Sequence, residues 1–222
     1  MKYKACLFDL DGVLVDTAIY HFKAWRALGL NFGYQLTEEQ NEQLKGISRV
    51  ESLDRILNWA GVQASEEEKS KWLIEKNEHY LELISQMNPS EILPGVSDFL
   101  GQIKKEGYLI ALGSASKNAE IILNKTGLMH WFDVIIDGNK VTKSKPDPEV
   151  FLKGAEALGV SPEECIVFED AVAGVEAAKK GGMKAIGIGE TSVLNQADKV
   201  ISSFSGVLSK DLLNFQENSL AL

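Results

Sequence analysis

The chain has 222 residues, 45% hydrophobic and 25% charged, with 23 Lys plus Arg against 32 Asp plus Glu and a formal net charge of −9. That balance excludes a disordered chain, and no apolar run approaches the ~20 residues of a membrane-spanning helix. An acidic excess without any Lys/Arg block speaks against a nucleic-acid binder, whose affinity rests on neutralising phosphates.

Taken in chain order, the first informative segment is Ala5-Cys6-Leu7-Phe8, apolar at every position and stopped abruptly by Asp9-Leu10-Asp11-Gly12. Such a run predicts a strand covered on both faces, as in a parallel sheet. From Thr17 to Gln86 the pattern changes. Phe22, Trp25 and Leu28, then Leu53, Ile56 and Leu57, then Trp72, Leu73, Tyr80 and Leu83 recur at helical spacing and predict a small helical bundle. Pro89, Pro94 and Gly95 mark its end, and Val15-Asp16-Thr17 with this exit predict a two-stranded connection. Beyond Pro94, short apolar runs at 109–112, 134–136, 165–168 and 185–188 alternate with helical patterns over 96–105, 119–125, 148–158 and 172–180. This alternation predicts an α/β core with a doubly wound parallel sheet, built from residues 1–15 and 90–222, with residues 16–89 inserted as an α-helical cap domain. Cys6 and Cys165 lie inside apolar runs and read as buried thiols of a reducing compartment. The apolar stretch after Met1-Lys2-Tyr3-Lys4 is too short for a signal peptide and is broken by Asp9, so a cytoplasmic location is expected.

Ligands of open α/β sheets bind beyond the carboxyl ends of the strands. Those ends carry Asp9 and Asp11, then Ser114, Ala115 and Ser116, then Glu169 and Asp170, and Lys145-Pro146 lies in a loop between the third and fourth runs. Several carboxylates converging on one crevice call for a cation, and oxygen donors with few His or Cys nearby select a hard divalent ion, most naturally Mg²⁺. A Mg²⁺ site beside a Lys, a Ser and exposed backbone N–H groups suits a phosphoryl group.

In that order, Asp9-Leu10-Asp11-Gly12-Val13, Ser114, Lys145-Pro146 and Glu169-Asp170 resemble the four motifs of the haloacid dehalogenase-like phosphotransferases. The resemblance covers the whole chain and implies a Rossmann-like core under a helical cap. It implies Asp9 as nucleophile, Asp11 as general acid and base, Ser114 and the Ala115 N–H on the transferring phosphoryl group, and Lys145 offsetting its charge. The metal would be held by Asp9, Asp11 through its carbonyl, Asp170, and Glu169 either directly or through water. Lys45-Gly46-Ile47-Ser48-Arg49, His21, Trp25 and Lys76-Asn77, with Ser114-Ala115-Ser116-Lys117-Asn118, resemble the sugar-phosphate mutases of that family. This implies interconversion of β-glucose 1-phosphate and glucose 6-phosphate through β-glucose 1,6-bisphosphate. Arg49 with Ser116, Lys117 and Asn118 would take the second phosphate, Lys45, Gly46 and Ile47 would meet the sugar, and His21 with Lys76 would couple closure to Asp11. A single cap closing over each site needs no partner chain, so a monomer acting on a small phosphorylated sugar is expected.

Plainer readings stand beside these. Glu169-Asp170 suits a cap on the helix from Val172, Ser114 to Asn118 suits a helix start, and Lys76 between Glu75 and His79 suits an exposed helix face. Trp25, Trp59 and Trp72 suit a cap core, and Glu66-Glu67-Glu68 a solvated helix start. A sugar-phosphate phosphatase of the same fold would share the chemistry as far as the aspartyl phosphate. A non-catalytic sugar-phosphate binding protein is the rival from another class, although binding alone needs no nucleophile.

Overall fold

The computed structural model describes residues 2–45 and 47–215. Among them a parallel six-stranded sheet has the order β3-β2-β1-β4-β5-β6. Its strands are β1 (Ala5–Phe8), β2 (Leu109–Gly113), β3 (Val134–Ile136), β4 (Cys165–Glu169), β5 (Lys184–Ile188) and β6 (Lys199–Ile201). Five answer to the apolar runs of the sequence. The sixth, β6, was not predicted, because three half-buried residues at a sheet edge carry too short a pattern.

Side chains alternate across the sheet, and each face has its own cover. Cys6 and Phe8 of β1 point into a cluster completed by α5 (Val96–Lys105), α6 (Ala119–Thr126) and α9 (Ser209–Leu212). Ala5 and Leu7 point into the opposite cluster, under α7 (Glu149–Leu158) and α8 (Val172–Lys180). Phe8 stacks on Phe168 at 4.5 Å, with Phe99 edge-on to both. Each such fully buried ring contributes roughly 1.5–3 kcal/mol, so the centre of the sheet is a rigid platform for the residues at its end.

Between β1 and β2 run α1 (Ala18–Asn31), α2 (Glu38–Glu42), α3 (Arg49–Ala60) and α4 (Glu66–Ile84). Trp25, Leu28, Leu53, Ile56 and Leu57 form a separate apolar cluster there, with Trp59 and Trp72 packed at its margin. The short polar α2 is held by a reciprocal cap between Thr37 and Gln40. In α4, Ser65 and Glu68 form the same device ahead of three first-turn glutamates. Tyr80 and Ile84, farther along α4, leave the insertion's cluster and join that of the sheet. The segments on either side of the insertion meet as a narrow two-stranded bridge. Val15 pairs antiparallel with Ile92, Leu93 N–H donates to Leu14 C=O at 3.0 Å, and Asp16 N–H to Glu91 C=O at 3.1 Å.

Candidate active site

Strand β1 pairs with both β2 and β4, so the strand order reverses beside it and its carboxyl end opens onto a crevice. Asp9 stands there, nearly buried, its amide donating to Phe168 C=O at 3.0 Å. Its Oδ2 accepts from Asp11 N–H at 3.0 Å and its Oδ1 from Lys145 Nζ at 2.5 Å. Lys145 is fully buried and also donates to Glu169 Oε1 at 2.5 Å, with its ammonium 4.8 Å from the Phe151 ring centroid. Burial alone would pull this lysine down, but Asp9 and Glu169 hold it above the usual lysine range. Glu169 is pushed up to about 7 by burial, with Asp9 adding to the rise against the pull of Lys145.

Two glycines make this packing possible. A Cβ on Gly12, whose φ is +79°, would stand 2.2 Å from Asp170 Oδ2. A Cβ on Gly174 would stand 1.9 Å from the Glu169 carboxyl carbon, so helix α8 starts against that side chain. The residue types at both turns are dictated by the carboxylates beside them.

Asp11 turns toward the insertion. Its Oδ1 accepts from the buried Thr17 hydroxyl, and its Oδ2 lies 3.9 Å from His21 Nε2. Burial and then the Asp9 charge push Asp11 up to about 6, and Thr17 restrains the rise. His21 Nδ1 meets Lys76 Nζ at 3.0 Å. With Lys76 as the ammonium, which can only donate, Nδ1 accepts and the ring proton sits on Nε2, facing Asp11. Burial, then Lys76 and Arg49, hold His21 well below its ordinary value and therefore neutral. Lys76 is buried over the Trp25 and Tyr80 rings and brought down to about 7 by burial and then by Arg49. The exposed-face reading of Lys76 fails on this burial.

On the core side, Ser114 is fully buried and its Oγ accepts from Ser116 N–H at 3.1 Å, while Ser116 Oγ accepts from Asn118 N–H at 3.2 Å. Asn118 precedes α6 but does not cap it; its amide donates across the crevice to Asn77 Oδ1 at 3.0 Å. Asp9, Asp11, His21, Trp25, Lys45, Ile47, Arg49, Lys76, Ala115, Ser116, Lys117, Asn118 and Asp170 all face one cavity between core and insertion. Ser114 and Lys145 lie beneath its floor, and Gly46 falls outside the described residues. Asn41 and Ser52 also line the cavity without having been singled out, as nothing in their sequence context marks them. Thr17 was read as connection only, because its bond to Asp11 is set by the turn between them and leaves no local pattern.

Among the described residues, no three Asp, Glu, His or Cys side chains form a ready-made cation cage. The donor chemistry nevertheless fits a hard divalent ion. Asp170 is held well above the usual carboxylate range by burial, then by Glu169 and Asp9, with Lys45 at 3.6 Å as its charge partner. That is the signature of negative charge short of a cation. Both Glu169 oxygens accept, one from Lys145 and one from Ala171 N–H at 2.9 Å. As held here Glu169 steadies Lys145 and stands beside Asp9 and Asp170, the other carboxylates expected to meet the ion.

Residues 3–182 match the model of the haloacid dehalogenase-like hydrolases. The chain belongs to that family. Across nearly its full length it is similar to β-phosphoglucomutases: it is 42% identical to that of Bacillus subtilis (strain 168), covering 91% of this chain and 90% of the relative. A crystal structure of β-phosphoglucomutase from Clostridium difficile superposes with a TM-score of 0.92 at 42% identity, covering 95% and 96% of the two chains. A phosphorylated carbohydrates phosphatase of Thermotoga maritima is 32% identical over 95% of this chain and 97% of its own. No described helix is long and apolar enough to cross a membrane.

Proposed function

We propose that the chain is a Mg²⁺-dependent β-phosphoglucomutase, interconverting β-glucose 1-phosphate and glucose 6-phosphate through β-glucose 1,6-bisphosphate. What supports this beyond a phosphatase is the set of cationic and amide groups that shares the cavity with Asp9. Arg49, half-buried at the start of α3, has no carboxylate partner among the described residues, and Lys76, Lys117 and the Ser116–Asn118 turn face the same space. Arg49 with the Ser116–Asn118 turn suits a second phosphate of a substrate phosphorylated at both ends.

In this reading Asp9 attacks a phosphoryl group of the bisphosphate and becomes the aspartyl phosphate as the P–O bond to the sugar breaks and Asp11 protonates the departing oxygen, while Lys145 holds Asp9 Oδ1 and offsets the incoming charge. Bound Mg²⁺ would supply charge neutralisation on the phosphoryl oxygens. The sugar hydroxyl then attacks the aspartyl phosphate as Asp11 takes its proton, giving the bisphosphate. The intermediate turns over between the two anion sites and returns its other phosphoryl group to Asp9, with Asp11 protonating the departing oxygen. Lys76 and neutral His21 orient Asp11 from the insertion, so the acid–base group is set when insertion and core are together. A division into core (1–15 and 90–222) and cap (16–89), a monomeric state and a cytoplasmic setting belong to the same proposal.

The deciding assay offers β-glucose 1-phosphate, Mg²⁺ and a trace of bisphosphate and follows glucose 6-phosphate and free phosphate together. Glucose 6-phosphate is expected as the main product; free phosphate in its place makes the chain a phosphatase. Replacing Arg49 by Ala is expected to cut sugar-phosphate turnover by about 100-fold while phosphorylation of Asp9 by acetyl phosphate falls only severalfold, since a buried charge contact is worth roughly 2–3 kcal/mol. Equal losses in the two assays refute the assignment.

The raised pKa of Asp11 gives a second handle. The Thr17 hydroxyl donates to its carboxylate and favours the ionised form, so Thr17→Val raises the pKa further. The acid limb of kcat/KM against pH is expected to start near 6 and to move up by about one pH unit, the worth of one charge-assisted hydrogen bond. An unmoved limb shows that another group sets it.

A further inference from the structure

Lys45 is the one Lys or Arg among the described residues that forms an ion pair between the helical insertion and the core. Its Nζ lies 3.6 Å from Asp170 Oδ2 and 2.8 Å from Glu42 Oε2. Asp170 cannot swing freely toward Gly12, because its Oδ2 already occupies the space of the missing Cβ. Asp170 and Lys45 also border a second cleft, which Asp16, Glu42 and Glu190 line. The acidic residues of this cleft favour a cation beside Asp170, a carboxylate held by an ammonium.

We propose that Lys45 and the divalent cation compete for Asp170, so that cation binding frees Lys45 to Glu42 and loosens the insertion from the core. Lys45 is then a positioning residue that links metal loading to opening of the sugar cavity. The inference rests on the cation-dependent reading above, but not on whether the product is a sugar phosphate or free phosphate.

The test titrates Mg²⁺ into the full chain without substrate, by calorimetry, for wild type, Lys45→Met and Lys117→Met. Lys117 lines the same sugar cavity but not the second cleft, and so controls for general charge effects. Losing a part-buried ion-pair competitor is expected to tighten Mg²⁺ binding about threefold to tenfold in Lys45→Met, with Lys117→Met changed less than twofold. A fluorophore pair on α3 and α7 is expected to report a longer distance on Mg²⁺ addition in wild type. In Lys45→Met the distance starts long and does not respond. Unchanged or weaker Mg²⁺ binding in Lys45→Met, equal tightening in Lys117→Met, or a wild-type distance indifferent to Mg²⁺ each overturns the proposal. If instead no glucose 6-phosphate forms but these binding results hold, the mutase reading fails and the competition stands.

Discussion

Asp9→Asn is expected to lower phosphotransfer by at least about 10⁴-fold while shifting the melting temperature by no more than a few degrees. The two halves of this expectation have one structural origin. Lys145 is shared by two buried carboxylates, so the wild-type cluster carries one negative charge too many. An amide at position 9 removes that excess and relieves Glu169, whose rise Asp9 helps to cause. Against this, one amide N–H now faces the Asp11 N–H that Asp9 Oδ2 used to accept. Relief and loss offset each other within roughly 1–2 kcal/mol. Activity has no such offset, because the amide is not a nucleophile. Intact mass after incubation with acetyl phosphate reads the covalent step directly: wild type gains one phosphoryl group and the variant gains none. Phosphoryl incorporation in the variant would assign the nucleophile elsewhere.

The residues that carry this chemistry were legible because the parallel sheet writes them in a fixed place. A run apolar at every position can only be a strand covered on both faces, and the polar residues that end it must stand at its mouth. Asp9, Ser114 and Glu169 were located by that logic before any coordinates, and the structure puts Asp9 and Glu169 on one ammonium. What sequence could not supply is which of several neighbours a side chain chooses. Asn118 has the composition of a helix cap, yet its amide reaches Asn77, 41 residues away. Lys76 sits in a polar stretch of α4, yet that turn of the helix is covered by Trp25 and His21 from α1. Glu169 shares the type and position of a metal ligand, yet both its oxygens face N–H donors of the protein. In each case the deciding contact is long-range, and a local pattern carries no record of it. The strand β6 was missed for another reason: an edge strand of three half-buried residues needs no distinctive pattern.

Lys145→Met is expected to destabilise the fold by about 3–5 kcal/mol at pH 8, lowering the melting temperature by about 10 °C, and to abolish turnover. Methionine fills the volume against Phe151 but leaves Asp9 and Glu169 buried without a counter-charge. The pH dependence has a definite sign. Glu169 already titrates near 7 in the folded protein, above the roughly 4.3 of an unfolded glutamate. Between those values the native state binds more protons than the unfolded one, so this residue makes stability fall as pH rises. Removing Lys145 takes away the main influence that lowers Glu169, which extends the fall to higher pH and steepens it. The gap in melting temperature between wild type and Lys145→Met therefore widens from pH 5 to pH 8; a constant or narrowing gap would show that the cluster does not titrate. Acid recovers stability in Lys145→Met without recovering activity, because protonating Glu169 does not replace the ammonium at Asp9. Stability in Lys145→Met therefore rises toward acid pH while turnover stays abolished. That separation is unavailable to a lysine that merely packs, and it marks Lys145 as the ammonium that Asp9 and Glu169 share.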